Sequence, residues 1–217
     1  TNYLKSIGYN YYGENKFFGT LKPRWNAILK VTGSSSTLFK NFDDQVRNKI
    51  RKAESRGVEI IKGNHNDIKL FYTFVAKKHS RTLEYYQTFA KEFGDDFEIY
   101  FAKLNSEKYL QNIKKLYELE VTNNEKINLE IQEKSTENKI TNKLMNTKIT
   151  SDKLLDTYKK ELIFASDLFA KNPSGIIIGA TAIILDKNGV ELLIEGQNSD
   201  YALYYPNYLT KWYIIEK

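Results

Sequence analysis

Between positions 47 and 56 the chain carries Arg47, Lys49, Arg51, Lys52 and Arg56. The spacing lets several of them share one side of a helix. Cationic groups gathered this way meet phosphates, whether of RNA, of a phosphorylated substrate or of anionic lipid heads. The competing reading is a solvated helix face with Asp43, Asp44 and Glu54 as local partners. A second stretch with chemical potential is "DYALYYPNYLTKW", where Tyr204, Tyr205, Tyr208 and Trp212 fall at helix-compatible steps. Most of these belong in a core, but Tyr205 and Tyr208 are candidates to line a cleft, since a phenol offers an apolar body with a polar tip. Glu195 and Asp200, near Gly196, could accept a proton from an attacking amine. His65 and His79 each stand without carboxylate or thiol companions at metal-ligand spacing and read as structural or surface residues, with no metal site expected.

Composition narrows the setting. The chain has no Cys, which excludes disulfides, thiolate metal sites and thiol catalysis and favours a cytoplasmic location. No apolar run approaches the ~20 residues that a membrane-spanning helix needs. With 217 residues, 41% of them hydrophobic, the chain can bury a substantial core. A net charge of +6 favours polyanionic partners. The first residue is Thr1, and the last amphipathic stretch stops without a cap, which suggests a piece of a longer protein.

The elements that must position these residues follow from periodicity. Residues 1–33 mix glycines and aromatics around a strand-like "RWNAILKVT". Leu38, Phe42, Val46, Ile50 and Ala53 recur at three- and four-residue steps and predict one amphipathic helix, ended by Gly57 and followed by the strand "VEIIKG". A second helix is expected from a cap near Asn66 or Asp67, with Leu70, Phe74 and Phe71 inward, and a third over "TLEYYQTFAKEFG". "FEIYFAKL" reads as a strand. From Leu110 to Ile163 there is neither Gly nor Pro, which predicts a long helical hairpin bending within residues 133–139. Its seam would set Ile113, Leu116, Ile127 and Ile131 against Ile140, Leu144, Leu155, Tyr158 and Leu162, weakened by Glu120 and Asn123. Its ten Lys nearly balance nine Asp plus Glu, so the positive excess lies elsewhere. "IIIGATAIILDKNGVELLIEGQN" then reads as a β-hairpin around Asp186 to Gly189, and a last helix follows Pro206. Helices alternating with strands indicate an α/β or α+β layer structure.

Taken in order, several of these blocks resemble one family. "LKPRWNAILKVTGSSSTLFKNFDDQVRNKIRKAESRGVEI", "LFYTFVAKKHSRTLEYYQTF", the charged helical hairpin and "GATAIILDKNGVELLIEGQNSDYALYYPNYLTKW" are similar to successive segments of the Fem-type (FemAB-like) peptidyltransferases. The resemblance implies an acetyltransferase-like (GNAT-like) α/β fold with an inserted antiparallel coiled-coil arm. Residues 1–33 would be the end of a first domain, 34–109 the first part of a second, 110–163 the arm, and 164–217 the second domain continued.

The resemblance also implies a reaction: an aminoacyl group moves from aminoacyl-tRNA to the stem-peptide lysine or bridge amine of a peptidoglycan precursor, either lipid II or a UDP-linked muropeptide. No cofactor is implied, because the ester is already activated. Arg81 and Tyr85 match an Arg and a Tyr that contact the precursor in cytoplasmic members of the family. A guanidinium can grip a phosphate or carboxylate bidentately, and a Tyr one turn later can add a hydroxyl on the same helical face. Tyr205 and Tyr208 would join them, and the basic run would meet tRNA, lipid-linked pyrophosphate or the inner membrane surface. Two alternatives are an acyl-coenzyme A-dependent GNAT N-acyltransferase and a non-catalytic coiled-coil interaction module. The first would want a Gln/Arg-x-x-Gly-x-Gly/Ala pyrophosphate loop, a pattern not found in this sequence.

Overall fold

A computed structural model describes Ser6 and residues 27–77, 81–136, 139, 141–187 and 189–217. Of the strand-like stretch at residues 24–32, read as part of turns and extended chain, residues 27–32 carry no regular structure. Helix α1 spans Ser35–Asn41 and helix α2 spans Asp44–Ser55. The single helix expected here is thus two. The break falls at Phe42 and Asp43, where Phe42 turns its ring edge-on to Trp212, at 5.7 Å between centroids. Phe39 meets the same indole at 5.0 Å. Burying two aromatic rings on a third outweighs one turn of continuous helix.

Four strands form one antiparallel sheet among the described residues: β1 Val58–Lys62, β2 Phe97–Leu104, β3 Ile176–Asp186 and β4 Gly189–Gln197, in the order β1-β2-β3-β4. The pleat sends Phe97, Ile99 and Phe101 to one face, opposite Ile184, Ala182 and Ala180 of β3. On that face lie α3 (Ile68–Val75) and α4 (Leu83–Phe93), which contribute Ile68, Phe71, Val75, Tyr86 and Ala90 to the core. Burying Ile68, Phe71 or Val75 stabilises the fold by about 1.5–3 kcal/mol each through area removed from water. The inward set of α3 differs from the expected one: Leu70 is 40% exposed, whereas Phe71 and Val75 are fully buried. The helix starts after the turn His65–Asp67, capped by Asn64, and this shifts the buried stripe by one residue.

The opposite face carries α2 and the last helix, α7 (Pro206–Glu216). Tyr100 of β2 meets Tyr213 at 5.7 Å, and Lys211 reaches Glu195 of β4. Two glycines permit close approach of these layers. Gly196 lies under α3, where an added Cβ would come within 2.1 Å of the Phe74 carbonyl oxygen. Gly57, at φ 74°, turns the chain from α2 into β1 against the Tyr109 backbone nitrogen.

Between β2 and β3 stand two long helices, α5 (Ser106–Thr136) and α6 (Asn142–Lys171), both longer than the sequence pattern indicated. Each is about 45 Å long at ~1.5 Å per residue. Cross-contacts run antiparallel, from Ser106 with Asn172 at the root to Asn124 with Ser151 further out. The seam buries Ile113, Ile127, Leu144, Ala165 and Leu168. Of the two polar seam residues expected, Glu120 accepts from Ser151 Oγ across the pair, whereas Asn124 stands in place of Asn123, its amide donating to Ser151 Oγ at 2.9 Å and Asp152 Oδ1 at 2.8 Å. Lys148 Nζ completes the layer by donating to Asn124 Oδ1 at 3.1 Å. The connection expected within 133–139 begins after Thr136, and Ile140, expected on the seam, lies outside the described residues.

Candidate functional site: cations on tyrosines

The basic run does not act as one patch. Lys49 and Lys52 face the start of α7, where Tyr205, just before the helix, and Tyr208, in its first turn, present their rings. Lys49 Nζ donates to Tyr208 Oη at 2.9 Å and stands 4.5 Å from that ring's centroid. Lys52 Nζ lies 5.4 Å from the Tyr205 ring. The two rings meet edge to face at 6.0 Å. The hydrogen bond to Tyr208 outweighs desolvation and holds the Lys49 ammonium above the ordinary lysine range. Two ammonium groups and two phenols on an accessible surface can receive an anion with little rearrangement.

Tyr205 itself is held at φ 52° and ψ 43°, the one non-glycine residue with positive φ among those described. The strain arises where the 3₁₀ segment Ser199–Tyr204 meets α7, whose first position is Pro206. Proline suits that position because its missing N–H would have no helical partner anyway.

The other three cations are engaged elsewhere. Arg47 donates to the Lys40 carbonyl at 2.5 Å and pairs with Asp44. Arg51 lies 5.3 Å from the Phe39 ring. Arg56 makes a two-pronged ion pair with Glu161 of α6, Nε to Oε2 at 3.1 Å and Nη2 to Oε1 at 2.5 Å. Its guanidinium therefore faces a carboxylate of its own chain, not an external phosphate.

Arg81 and Tyr85 form a separate group on the α3–α4 face. Arg81 precedes the helix, since Thr82 is the cap of α4 and accepts from the Tyr85 backbone N–H at 3.2 Å. The two side chains accordingly do not stand side by side on one helical face, as the spacing alone suggests. Instead the guanidinium stacks 4.8 Å over the Tyr85 ring, and Tyr72 Oη donates to the Arg81 carbonyl at 3.3 Å. The four residues expected to bind substrate together thus divide into two pairs, with the sheet between them. Tyr72 gives no sequence signal beyond its place on an amphipathic helix.

Glu195 faces α7, where Lys211 Nζ donates to Oε1 at 3.0 Å. Its other oxygen is within ion-pair distance of the same ammonium but out of line for a hydrogen bond, and buried. Thr181, directly opposite on β3, has a buried hydroxyl without a protein partner. Asp200 is exposed at the start of the 3₁₀ segment. The His65 ring packs 6.5 Å from Phe97, and His79 lies outside the described residues. No cluster of three or more metal-ligating side chains occurs among the described residues, nor any helix long and apolar enough to cross a membrane.

Comparison with known proteins places this arrangement. The model of the FemAB family matches residues 1–217. The chain belongs to the FemAB family. Similar FemAB relatives include a lipid II:glycine glycyltransferase of Staphylococcus epidermidis, 23% identical over 218 residues that cover 94% of this chain and 50% of that protein. The aminoacyltransferase FemB of the same species is 26% identical over 224 residues, covering 99% of this chain and 52% of the relative. The chain thus spans about half the length of the relatives it matches. Among solved structures, the crystal structure of FemX superposes with a TM-score of 0.66 at 15% identity, covering 99% of this chain and 55% of that one. At that identity the likeness establishes a shared fold.

Proposed function

We propose that this chain is part of an aminoacyltransferase that builds the interpeptide bridge of peptidoglycan by moving Gly, Ala or Ser from aminoacyl-tRNA to an amine of a lipid II-type precursor. One observation carries the reading: the FemAB match extends over residues 1–217, and relatives similar over nearly all of this chain include a lipid II:glycine glycyltransferase. The sheet with α2, α3, α4 and α7 would be a GNAT-like domain, and α5 with α6 a coiled-coil arm. The enzyme would work in the cytoplasm beside the inner membrane face.

In this reading the precursor's lysine or bridge amine attacks the ester carbonyl of the charged tRNA. A C–N amide bond forms, the C–O ester bond breaks, and the amine's proton ends on the departing ribose hydroxyl. Because the ester is activated, positioning, proton removal and oxyanion stabilisation are what the protein supplies. Arg81, stacked on Tyr85, would grip a carboxylate or phosphate of the precursor. Lys49 and Lys52, with Tyr205 and Tyr208, would hold a phosphate of tRNA or of lipid-linked pyrophosphate. Among the described residues, neither pair is held by an ion pair that would have to break.

The experiment is transfer of labelled glycine, alanine or serine by the full-length protein from charged tRNA to lipid II, with acyl-coenzyme A as the alternative donor. Transfer from tRNA is the expected result; acetylation alone would establish the coenzyme A reading, and neither activity would point to an interaction module. Within an active enzyme, Arg81→Ala should raise KM for the precursor about tenfold or more, the worth of one charge-assisted hydrogen bond. An unchanged KM would remove Arg81 from the site.

A further inference from the structure

At the root of the α5–α6 pair the side chains of Tyr204, Tyr109, Glu161 and Arg56 form one polar chain through an otherwise apolar junction. Tyr204 Oη donates to Tyr109 Oη at 3.1 Å, Tyr109 Oη lies 3.5 Å from Glu161 Oε2, and that carboxylate takes both prongs of Arg56. The junction is shielded: Tyr109 is fully buried, and the Arg56 and Glu161 side chains are 11% and 21% exposed. Phe164 and Tyr201 close it with edge and tilted ring contacts. Burial pushes the Tyr109 and Tyr204 hydroxyls above the ordinary tyrosine range, so both remain donors throughout the physiological range.

Both ends of this chain lead into the cation–tyrosine cluster. Arg56, the cap of α2, follows Lys49 and Lys52 at i+7 and i+4, so all three lie along one side of the helix and its cap. Tyr204 is bonded directly to Tyr205, which is held in the left-handed region, leads into the helix of Tyr208 and sets its own ring 5.4 Å from Lys52. A residue held in that conformation persists when its surroundings fix it. On one side the network fixes the helix that carries the ammonium groups, and on the other it fixes the turn that carries the rings. Each is anchored to the arm helices, through Glu161 on α6 and Tyr109 on α5.

We infer that Arg56, Glu161, Tyr109 and Tyr204 are positioning residues: the root of the arm sets the spacing of Lys49 and Lys52 against Tyr205 and Tyr208, so the arm and the anion-binding cluster are one mechanical unit. The inference rests on the reading of that cluster as an anion site, and its test separates the two. In the full-length protein, Glu161→Gln removes the charge that clamps Arg56, while Tyr204→Phe removes one hydroxyl and keeps the ring packing. Lys49 is followed by NMR of ¹³Cε-labelled lysine across a pH titration, and affinity for inorganic pyrophosphate is measured by calorimetry. Gly196→Ala, which disturbs the opposite face of the sheet, serves as the control for general destabilisation.

The expected result is that both variants bring the Lys49 titration midpoint back toward the ordinary lysine value and weaken pyrophosphate binding several-fold, while the control moves neither. A Lys49 midpoint unchanged in either variant, or moved equally by the control, overturns the positioning role. A parent protein that binds no pyrophosphate would sink the anion-site reading separately, leaving the Lys49 midpoint to judge the link.

Discussion

Tyr205 shows what one residue contributes. A non-glycine residue in the left-handed region costs about 1–2 kcal/mol, and the fold accepts that cost where the 3₁₀ segment meets α7. Tyr205→Gly relieves the backbone but deletes the ring under Lys52. The expected outcome is a melting temperature equal to or above the parent's together with weaker pyrophosphate binding, checked by calorimetry on one preparation. Glu98 makes a prediction about pH. Burial alone would raise its carboxyl, but hydrogen bonds from Lys62 and from Tyr100 Oη, at 2.5 Å, outweigh burial and hold it below the ordinary carboxylate value. A carboxyl lowered in the folded state contributes stability that is complete above its unfolded value, ~4.3, and is lost as pH falls through the folded value. Glu98→Gln should therefore lower stability at neutral pH by about 1 kcal/mol. It should also flatten the acid limb of stability in urea titrations as pH falls below the unfolded value.

Elements meet their neighbours through a few positions that local patterns do not advertise. Gly196 admits α3 onto the sheet, and an added methyl would collide with the Phe74 carbonyl at 2.1 Å, against backbone that cannot rotate away. Gly196→Ala should cost about 2–3 kcal/mol, read as a lower urea midpoint with an unchanged slope. On the helix pair, Asn124 is shared by Ser151, Asp152 and Lys148. A buried polar residue at such a seam fixes register at some expense of stability. Asn124→Ala removes the bonds to Ser151, Asp152 and Lys148 and leaves Ser151 only Glu120 Oε1, so amide hydrogen exchange should speed up in the outer halves of α5 and α6 by about tenfold or more, with β2 and β3 unaffected. Equal acceleration in the sheet would show that the pair and the sheet unfold together.

At the scale of the whole molecule, charge placement decides how a polyanion would be met. If the cluster on α2 and α7 contacts nucleic-acid phosphates, neutralising Lys49 and Lys52 should reduce the slope of log affinity for tRNA against log salt by as much as about 2. Neutralising Arg47, already held by Lys40 and Asp44, should change it less. An unchanged slope in the double variant would place the tRNA elsewhere. The helices, the four strands and the β-hairpin turn were legible in the sequence because they follow from periodicity, caps and glycine positions, which act over a few residues. So was the kinship, because the order of blocks is itself a pattern. The α1–α2 break and the inward face of α3 were not, since Trp212 and a 3₁₀ turn decide them. Nor could spacing tell that Lys49 would find Tyr208, 159 residues on, or that Arg56 would find Glu161, 105 residues on. The sequence by itself determined which side chains carry charge and which segments are helix or strand. Only the tertiary structure decided which charges stay accessible, and that Arg81 and Tyr208 stand on opposite faces of the sheet, because the folding of the layers, and not local periodicity, brings distant elements together.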